Sequence, residues 1–159
     1  MRLVIADTSP VNYLILINRI EILPRLFTKV VLPSAVETEL AAKDAPAEVR
    51  AWIAKPPGWI EIINAPFVTS PAGIHRGEAA AIALASALSA ELLLIDDRKG
   101  VSIARQQGLQ VTGTLGVLDI AAERGLLDFA DALRALQRTT FRRSDELLNA
   151  LLMKHRRKS

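Results

Sequence analysis

The chain is 159 residues long, 50% hydrophobic and 23% charged, with a formal net charge of +3. Its length suits one domain, because domains run to about 100–150 residues, and a chain of this size buries roughly 70% of its unfolded surface without staples. The lack of cysteine excludes disulfides and thiolate metal sites, and two histidines are too few for a typical histidine-based zinc site, so any metal must be held by oxygen, which points to Mg²⁺ or Mn²⁺.

In chain order, residues 2–6 predict a short buried strand, stopped by Asp7-Thr8-Ser9-Pro10, three good N-cap residues and a proline suited to a first helical turn. Residues 11–17 continue as a helix, and 21–27 form a second. Val30-Val31-Leu32 is a strand ended by Pro33. Ser34 is expected to cap a helix to about residue 42, with Glu37 completing a capping box. Residues 46–54 predict another helix, broken by Pro56-Pro57-Gly58, and 59–63 a strand.

A loop follows over 64–73, then an alanine-rich helix over 77–89 with strong intrinsic propensity. Residues 92–95 predict a strand terminated by Asp96-Asp97. A helix over 99–107 closes at Gly108, and 110–112 forms a last short strand. Three more helices are expected over 115–124, 129–136 and 144–154. Strands alternating with helices predict an α/β three-layer sandwich, a mostly parallel sheet of four or five strands between helices. No repeat or linker divides the chain, so residues 1–159 read as one domain, with 150–159 a basic tail. The longest apolar runs, such as 79–85, fall short of the roughly 20 residues that span a bilayer. The first residues do not read as a secretory signal, which makes the cytoplasm the default expectation.

Ligands of open α/β sheets gather outside the carboxyl ends of the strands. Asp7 and the pair Asp96-Asp97 stand at such ends, and Glu39 and Glu78 lie on helices expected near the same edge. Gly77, Ala79, Ala80 and Ala81 leave room around Glu78 for a close approach. Gathering carboxylates without a cation is unfavourable, since like charges raise one another's pKa. A divalent metal removes that penalty, lowers the pKa of a bound water and polarises a phosphoryl oxygen. Phosphodiester hydrolysis therefore suits this set of residues better than acyl transfer, for which neither His75 nor His155 is placed as the base.

The ordered segments Asp7-Thr8-Ser9, Val36-Glu37-Thr38-Glu39-Leu40, Gly77-Glu78-Ala79-Ala80-Ala81 and Leu94-Ile95-Asp96-Asp97-Arg98-Lys99-Gly100 resemble the PIN-domain proteins, nearest the VapC-like toxins of prokaryotic toxin–antitoxin pairs. The later Val111-Thr112-Gly113-Thr114-Leu115-Gly116 fits the same pattern. The resemblance implies a metal-dependent endoribonuclease using Mg²⁺ or Mn²⁺, an RNA substrate, a homodimer and a small antitoxin partner. Carried over by position, the catalytic acids are Asp7, Glu39, Glu78 and Asp97. Asp7, Glu78 and Asp97 hold the metal, Asp96 shares it or orients its water, and Ser9 supports the first acid. Val101 departs from the pattern, standing where a basic residue is expected.

Plainer explanations compete at each position. Asp7 stands where an N-cap belongs, a task Thr8 or Ser9 can take. Glu37 has the capping box to explain it, which leaves Glu39 for the site, since residues two apart on a helix face different ways. Glu78 near a helix start is favoured by the macrodipole alone. Thr112-Gly113-Thr114-Leu115-Gly116 lacks the ending of a P-loop and reads as a turn with Thr114 capping the next helix. Arg76, Arg98 and Lys99 flank the acids as candidate phosphate contacts or as solvated charge. The terminal basic cluster reads as a frayed end. Tyr13, Leu14 and Leu16 read first as core, and second as a dimer or antitoxin surface.

A haloacid-dehalogenase phosphatase would need an aspartate where Ser9 stands. A receiver domain would need its acid pair early in the chain, where this one comes late. The remaining alternative is a PIN fold kept as an inactive RNA- or partner-binding module.

Overall fold

The computed structural model describes residues 3–66 and 73–156. Five strands, β1 (Val4–Ala6), β2 (Val30–Pro33), β3 (Ile60–Ile63), β4 (Leu92–Leu94) and β5 (Val111–Thr112), form one sheet in the order β3-β2-β1-β4-β5. Every neighbouring pair is parallel. Parallel strands covered on both faces should be apolar throughout, and Val-Ile-Ala, Val-Val-Leu-Pro and Leu-Leu-Leu are buried at every position.

Alternation along each strand sorts the core into two layers, because successive side chains point to opposite faces. Val4, Ala6, Val30, Leu32, Leu92 and Leu94 pack into one cluster. Helices α1 (Thr8–Leu16), α2 (Ile22–Phe27), α3 (Ser34–Leu40), α4 (Ala47–Ala54), α7 (Thr114–Glu123), α8 (Phe129–Gln137) and α9 (Asp145–Arg156) contribute to that cluster. Ile5, Val31, Leu93 and Ile95 form the other, covered by α5 (Arg76–Leu88) and α6 (Arg98–Gln106). The alanines of α5 let its backbone lie close to the sheet, and Ala81 and Ala85 are fully buried there.

The predicted α/β sandwich is therefore present, with five strands, all parallel. Tyr13, Leu14 and Leu16 join the first core cluster. The first helix begins at Thr8, with Pro10 in a first turn that needs no amide there, as expected. Several local details differ from expectation. The capping box at Ser34 does not form. Pro33 occupies the N-cap without a side-chain cap bond, and Ser34 already lies inside the helix. Thr114 is likewise the first residue of α7, with Gly113 as its N-cap. The basic C-terminal stretch is helical through Arg156, and Asp119 of α7 binds Lys154 Nζ at 2.9 Å and His155 Nε2 at 2.7 Å. Those two residues are held in place, so fraying does not begin with them. Residue 2 of the expected first strand, most of the 64–73 loop, and Arg157 and Lys158 fall outside the described residues. Among the described residues no helix is long and apolar enough to cross a membrane.

Candidate metal centre

From β1 the chain runs outward through β2 to β3, then returns to place β4 on the other side of β1 and continues to β5. The point where this order reverses lies between β1 and β4, and it opens a crevice at the carboxyl ends of those two strands. Asp7 leaves β1 at that point and Asp96-Asp97 leaves β4. The two strand ends remain joined there, with the Asp7 amide donating to the Leu94 carbonyl at 2.9 Å.

The N-termini of α1, α5, α6 and α7 surround this crevice, and the acids take amides from them. The Thr8 amide, next in the chain, favours the charged form of Asp7. Gly77 donates its amide to Glu39 Oε2 at 2.8 Å, and the Thr8 hydroxyl donates to Glu39 Oε1. Asp97 caps α6, accepting from the amides of Lys99 and Gly100 at 3.1 Å each. Asp96 receives the Thr114 amide and hydroxyl, both at 2.7 Å. Helix N-termini suit anions because their first amides lack partners within the helix and the macrodipole is positive there.

Two glycines set the spacing. A Cβ at Gly77 would overlap the Glu39 carboxylate, so glycine lets α3 and α5 meet through that side chain. At Gly100 a Cβ would stand 3.1 Å from Glu78 Oε2 and 2.7 Å from Ile95 Cδ1. The close approach expected around Glu78 thus occurs, and at Gly77 it is Glu39 that fills the space.

Asp7 is 3% exposed and Glu78 6% exposed. Among the described residues the buried side-chain atoms without a hydrogen-bond partner are Asp7 Oδ1 and Glu78 Oε2. A buried carboxylate oxygen left unpaired is costly, and such atoms call for an explanation. Burial pushes the Asp7 carboxyl up to about 8; the Thr8 amide opposes this, while the charges of Glu78, Glu39 and Asp96 add to the rise. Burial, then the charge of Asp97, pushes Glu78 up to about 7, with His75 opposing and Glu39 adding. Asp96 is also raised by burial, against the two bonds from Thr114 and the nearby Arg143 charge.

An open cleft of about 580 Å³ reaches this edge, lined among others by Ser9, Glu78, Asp96, Asp97, Arg98 and Arg143. Of the residues singled out from sequence, Asp7, Glu39, Glu78, Asp96 and Asp97 come together through these shared charges and bonds. Ser9 and Arg98 line the cleft. Arg76 is exposed at the start of α5, and the Lys99 side chain lies against Gly73. Neither belongs to the cleft wall. Val101, at the departure from the expected pattern, packs against the second core cluster.

A bound divalent ion would fit the two orphaned carboxylate oxygens, since hard cations take oxygen ligands. The pocket is not a finished cage, however. Among the described residues no three acids or histidines already stand as a group able to hold an ion.

A family model of the PIN domain matches residues 3–157. The chain belongs to the PIN-domain family. PIN domains are generally nucleases that use divalent metal ions, and the family assignment carries nucleic acid with it as the class of ligand. No curated protein matches the chain. No solved structure matches it either.

Sequence reasoning did not single out Thr8, His75, Tyr13, Phe141, Arg142 and Arg143 for this PIN domain's site. Thr8 holds Glu39, and the other five line the cleft. The Arg-Arg pair at 142–143 was the one visible signal, and nothing local tied it to acids some 45 residues earlier.

Proposed function

We propose that this PIN domain, taken as one unit over residues 1–159, is an endoribonuclease that depends on Mg²⁺ or Mn²⁺. The observation that carries the proposal is the pair of buried carboxylate oxygens, Asp7 Oδ1 and Glu78 Oε2, left without partners at the β1/β4 crevice. In this reading Asp7 and Glu78 hold the ion with Asp97, whose capping bonds are both made through Oδ2. Glu39 keeps the N-termini of α1 and α5 together. Asp96 supports the site through Thr114 and Arg143.

A divalent ion supplies charge neutralisation, polarisation of a phosphoryl oxygen and a water of lowered pKa. The residues of the chain supply the rest. With its value raised by burial to about 8, the Asp7 carboxyl holds a proton at neutral pH when no ion is bound. To hold an ion, Asp7 would have to give up that proton, as carboxylate ligands must be deprotonated to bind. Arg98, on the wall of the cleft, meets the charge of an entering phosphate. The reaction is hydrolysis: water adds to phosphorus, one ester oxygen leaves, and the leaving oxygen takes up a proton.

The cellular setting we propose is that of a cytoplasmic toxin, restrained by a small antitoxin and acting as a homodimer. This part rests on the motif order Asp7-Thr8-Ser9, Glu39, Glu78 and Asp96-Asp97. Incubating total RNA with the protein and Mg²⁺ or Mn²⁺ should give discrete cuts, absent in Asp7→Asn and in Asp97→Asn. Wild-type cutting by either variant would refute the assignment.

A further inference from the structure

The loop joining α8 to α9 brings arginines to the acidic cleft from a part of the chain that the acid motifs do not reach. Phe141, Arg142, Arg143 and Ser144 all line its wall. Arg143 is fixed there: Nη2 donates to the Asp96 carbonyl at 2.7 Å and lies 3.8 Å from Asp96 Oδ1, and the guanidinium sits 4.9 Å from the centre of the Phe141 ring. Arg142 is fixed at one nitrogen only. Its Nη1 donates to the carbonyls of Thr139 and Phe141 at 2.9 and 2.8 Å. Among the described residues no acid pairs with Arg142.

Arg142 also forms part of a second cleft of about 820 Å³, shared with Asn12, Asn18, Arg138, Thr139 and Thr140. Among the described residues no acid lines that cleft, and its other walls are apolar. Arg138 and Arg142 are exposed, and Arg138 likewise has no acidic partner among the described residues. The two clefts differ in kind. One sets the acids Glu78, Asp96 and Asp97 beside the arginines Arg98, Arg142 and Arg143; the other has arginines without acids, with amide and hydroxyl groups between them, and suits a polyanion. Arg142 stands on the ridge between them.

We propose that the second cleft is the exit path of a single nucleic-acid strand whose cut phosphate lies in the acidic cleft, with Arg142 holding the next phosphate along and Arg138 one beyond. The proposal rests on the nuclease reading for the position of the cut, but the path itself is a matter of backbone binding. Arginine suits the task because its planar fork matches a phosphate. Aromatic residues are only 4% of the chain, so charge must outweigh base stacking in holding the strand. Arg143 is a positioning residue, since its bonds to Asp96 fix the loop that carries Arg142.

The test separates path from chemistry. Binding of a fluorescent oligouridine is measured with the Asp7→Asn protein in Mg²⁺, at about 0.05 to 0.2 M salt. Each phosphate contact to a single strand contributes about 0.7 to the slope of log affinity against log salt. Arg142→Gln should lower the slope by about 0.7, and Arg138→Gln with Arg142→Gln by about 1.4. At 0.15 M salt this is a loss of about four-fold for the single variant and about fifteen-fold for the double. Arg124→Gln is the charge-loss control, placed at the far end of α7, a helix that starts at the site edge and runs about 15 Å away from it.

In the cleavage-competent background Arg142→Gln should raise KM with kcat kept. Unchanged affinity and slope in the double variant would overturn the proposal, as would an Asp7→Asn protein that binds no oligouridine at the lowest salt. Failure of the wild type to cut RNA in Mg²⁺ or Mn²⁺ would instead refute the nuclease reading, and the salt slopes would still decide the path.

Discussion

Replacing Asp7 by asparagine tests whether the pocket stores unfavourable charge that an ion relieves. The Asp7 carboxyl lies at about 8 in the folded protein against 3.8 in the free side chain. A raised carboxyl favours the folded state fully only below the unfolded value, and that contribution is lost as pH climbs through the folded one. For Asp7 the window therefore runs from about 4 to about 8. At about 1.4 kcal/mol per pKa unit, the interval from 3.8 to pH 7 destabilises the metal-free protein by about 4 kcal/mol. Asparagine removes the ionisation but buries an amide with no assured partner, which costs about 1–3 kcal/mol. The net gain near pH 7 is then about 2 kcal/mol, or about 4–8 °C in Tm for a chain of this size.

The assay is thermal or urea denaturation of both proteins in EDTA at several pH values, compared by difference. Groups shared by the two proteins cancel, and the remaining slope belongs to Asp7. Asp7→Asn should gain on the wild type steadily from about pH 4 to about pH 8 and lose its advantage in acid. Adding Mn²⁺ should reverse the order, because an ion at a hundred times its Kd stabilises the native state by about 2.7 kcal/mol, and only the wild type keeps the ligand. Parallel stability curves in EDTA would refute the buried-charge argument. Equal stabilisation of both proteins by Mn²⁺ would refute Asp7 as a ligand.

Two further substitutions probe how the site is held, and a third how α9 is anchored. Gly77→Ala places a methyl group on the Glu39 carboxylate and should destabilise by about 1–3 kcal/mol in urea, with RNA cutting reduced. Thr114→Val removes the hydroxyl bond to Asp96; a loss of about 1–3 kcal/mol is expected, and NMR titration should show the Asp96 carboxyl rising further. Burial would raise the Asp119 carboxyl, but bonds from Lys154 and His155 outweigh it and hold the group below 3.8. Its stabilising effect is thus present above 3.8 and lost as pH falls below that value. Asp119→Asn should loosen α9 at neutral pH, seen as faster amide exchange over 145–156, and the difference from wild type should shrink in acid.

The strands were legible because buried parallel strands are short apolar runs, and the helices because their ends are chemical: Asp7, Pro33 and Asp97 at starts, Gly108 after a close. From alternating strands and helices a parallel sheet followed, and from strand-end acids a crevice. The capping box at Ser34 was a false signal. Its pattern is local, whereas the helix start was decided by Pro33 at the end of β2, already held in register against Ile63. The part taken by Glu39 could not be read locally at all. Its partners Thr8 and Gly77 are 31 and 38 residues away, and only the fold brings them together. Arg142 and Arg143 were illegible for the same reason, since basic residues in a loop look like solvated charge until the loop is seen to touch Asp96.

The arrangement of amides explains how a PIN domain can fold around so many acids before any ion arrives. Glu39, Asp96 and Asp97 each accept at least one amide from a helix N-terminus. Each such terminus carries only about half a positive charge, felt within its first turn, so a carboxylate is steadied but not neutralised. The uncompensated remainder collects where burial is deepest, on Asp7 and Glu78, whose carboxyls are pushed up furthest. Protons offset that remainder on Asp7 and Glu78, and a divalent ion held by those carboxylates would supply positive charge in their place. The helix starts that shape the acids into a pocket offset only part of their charge, and the part left on Asp7 and Glu78 is what the proposed metal site draws on.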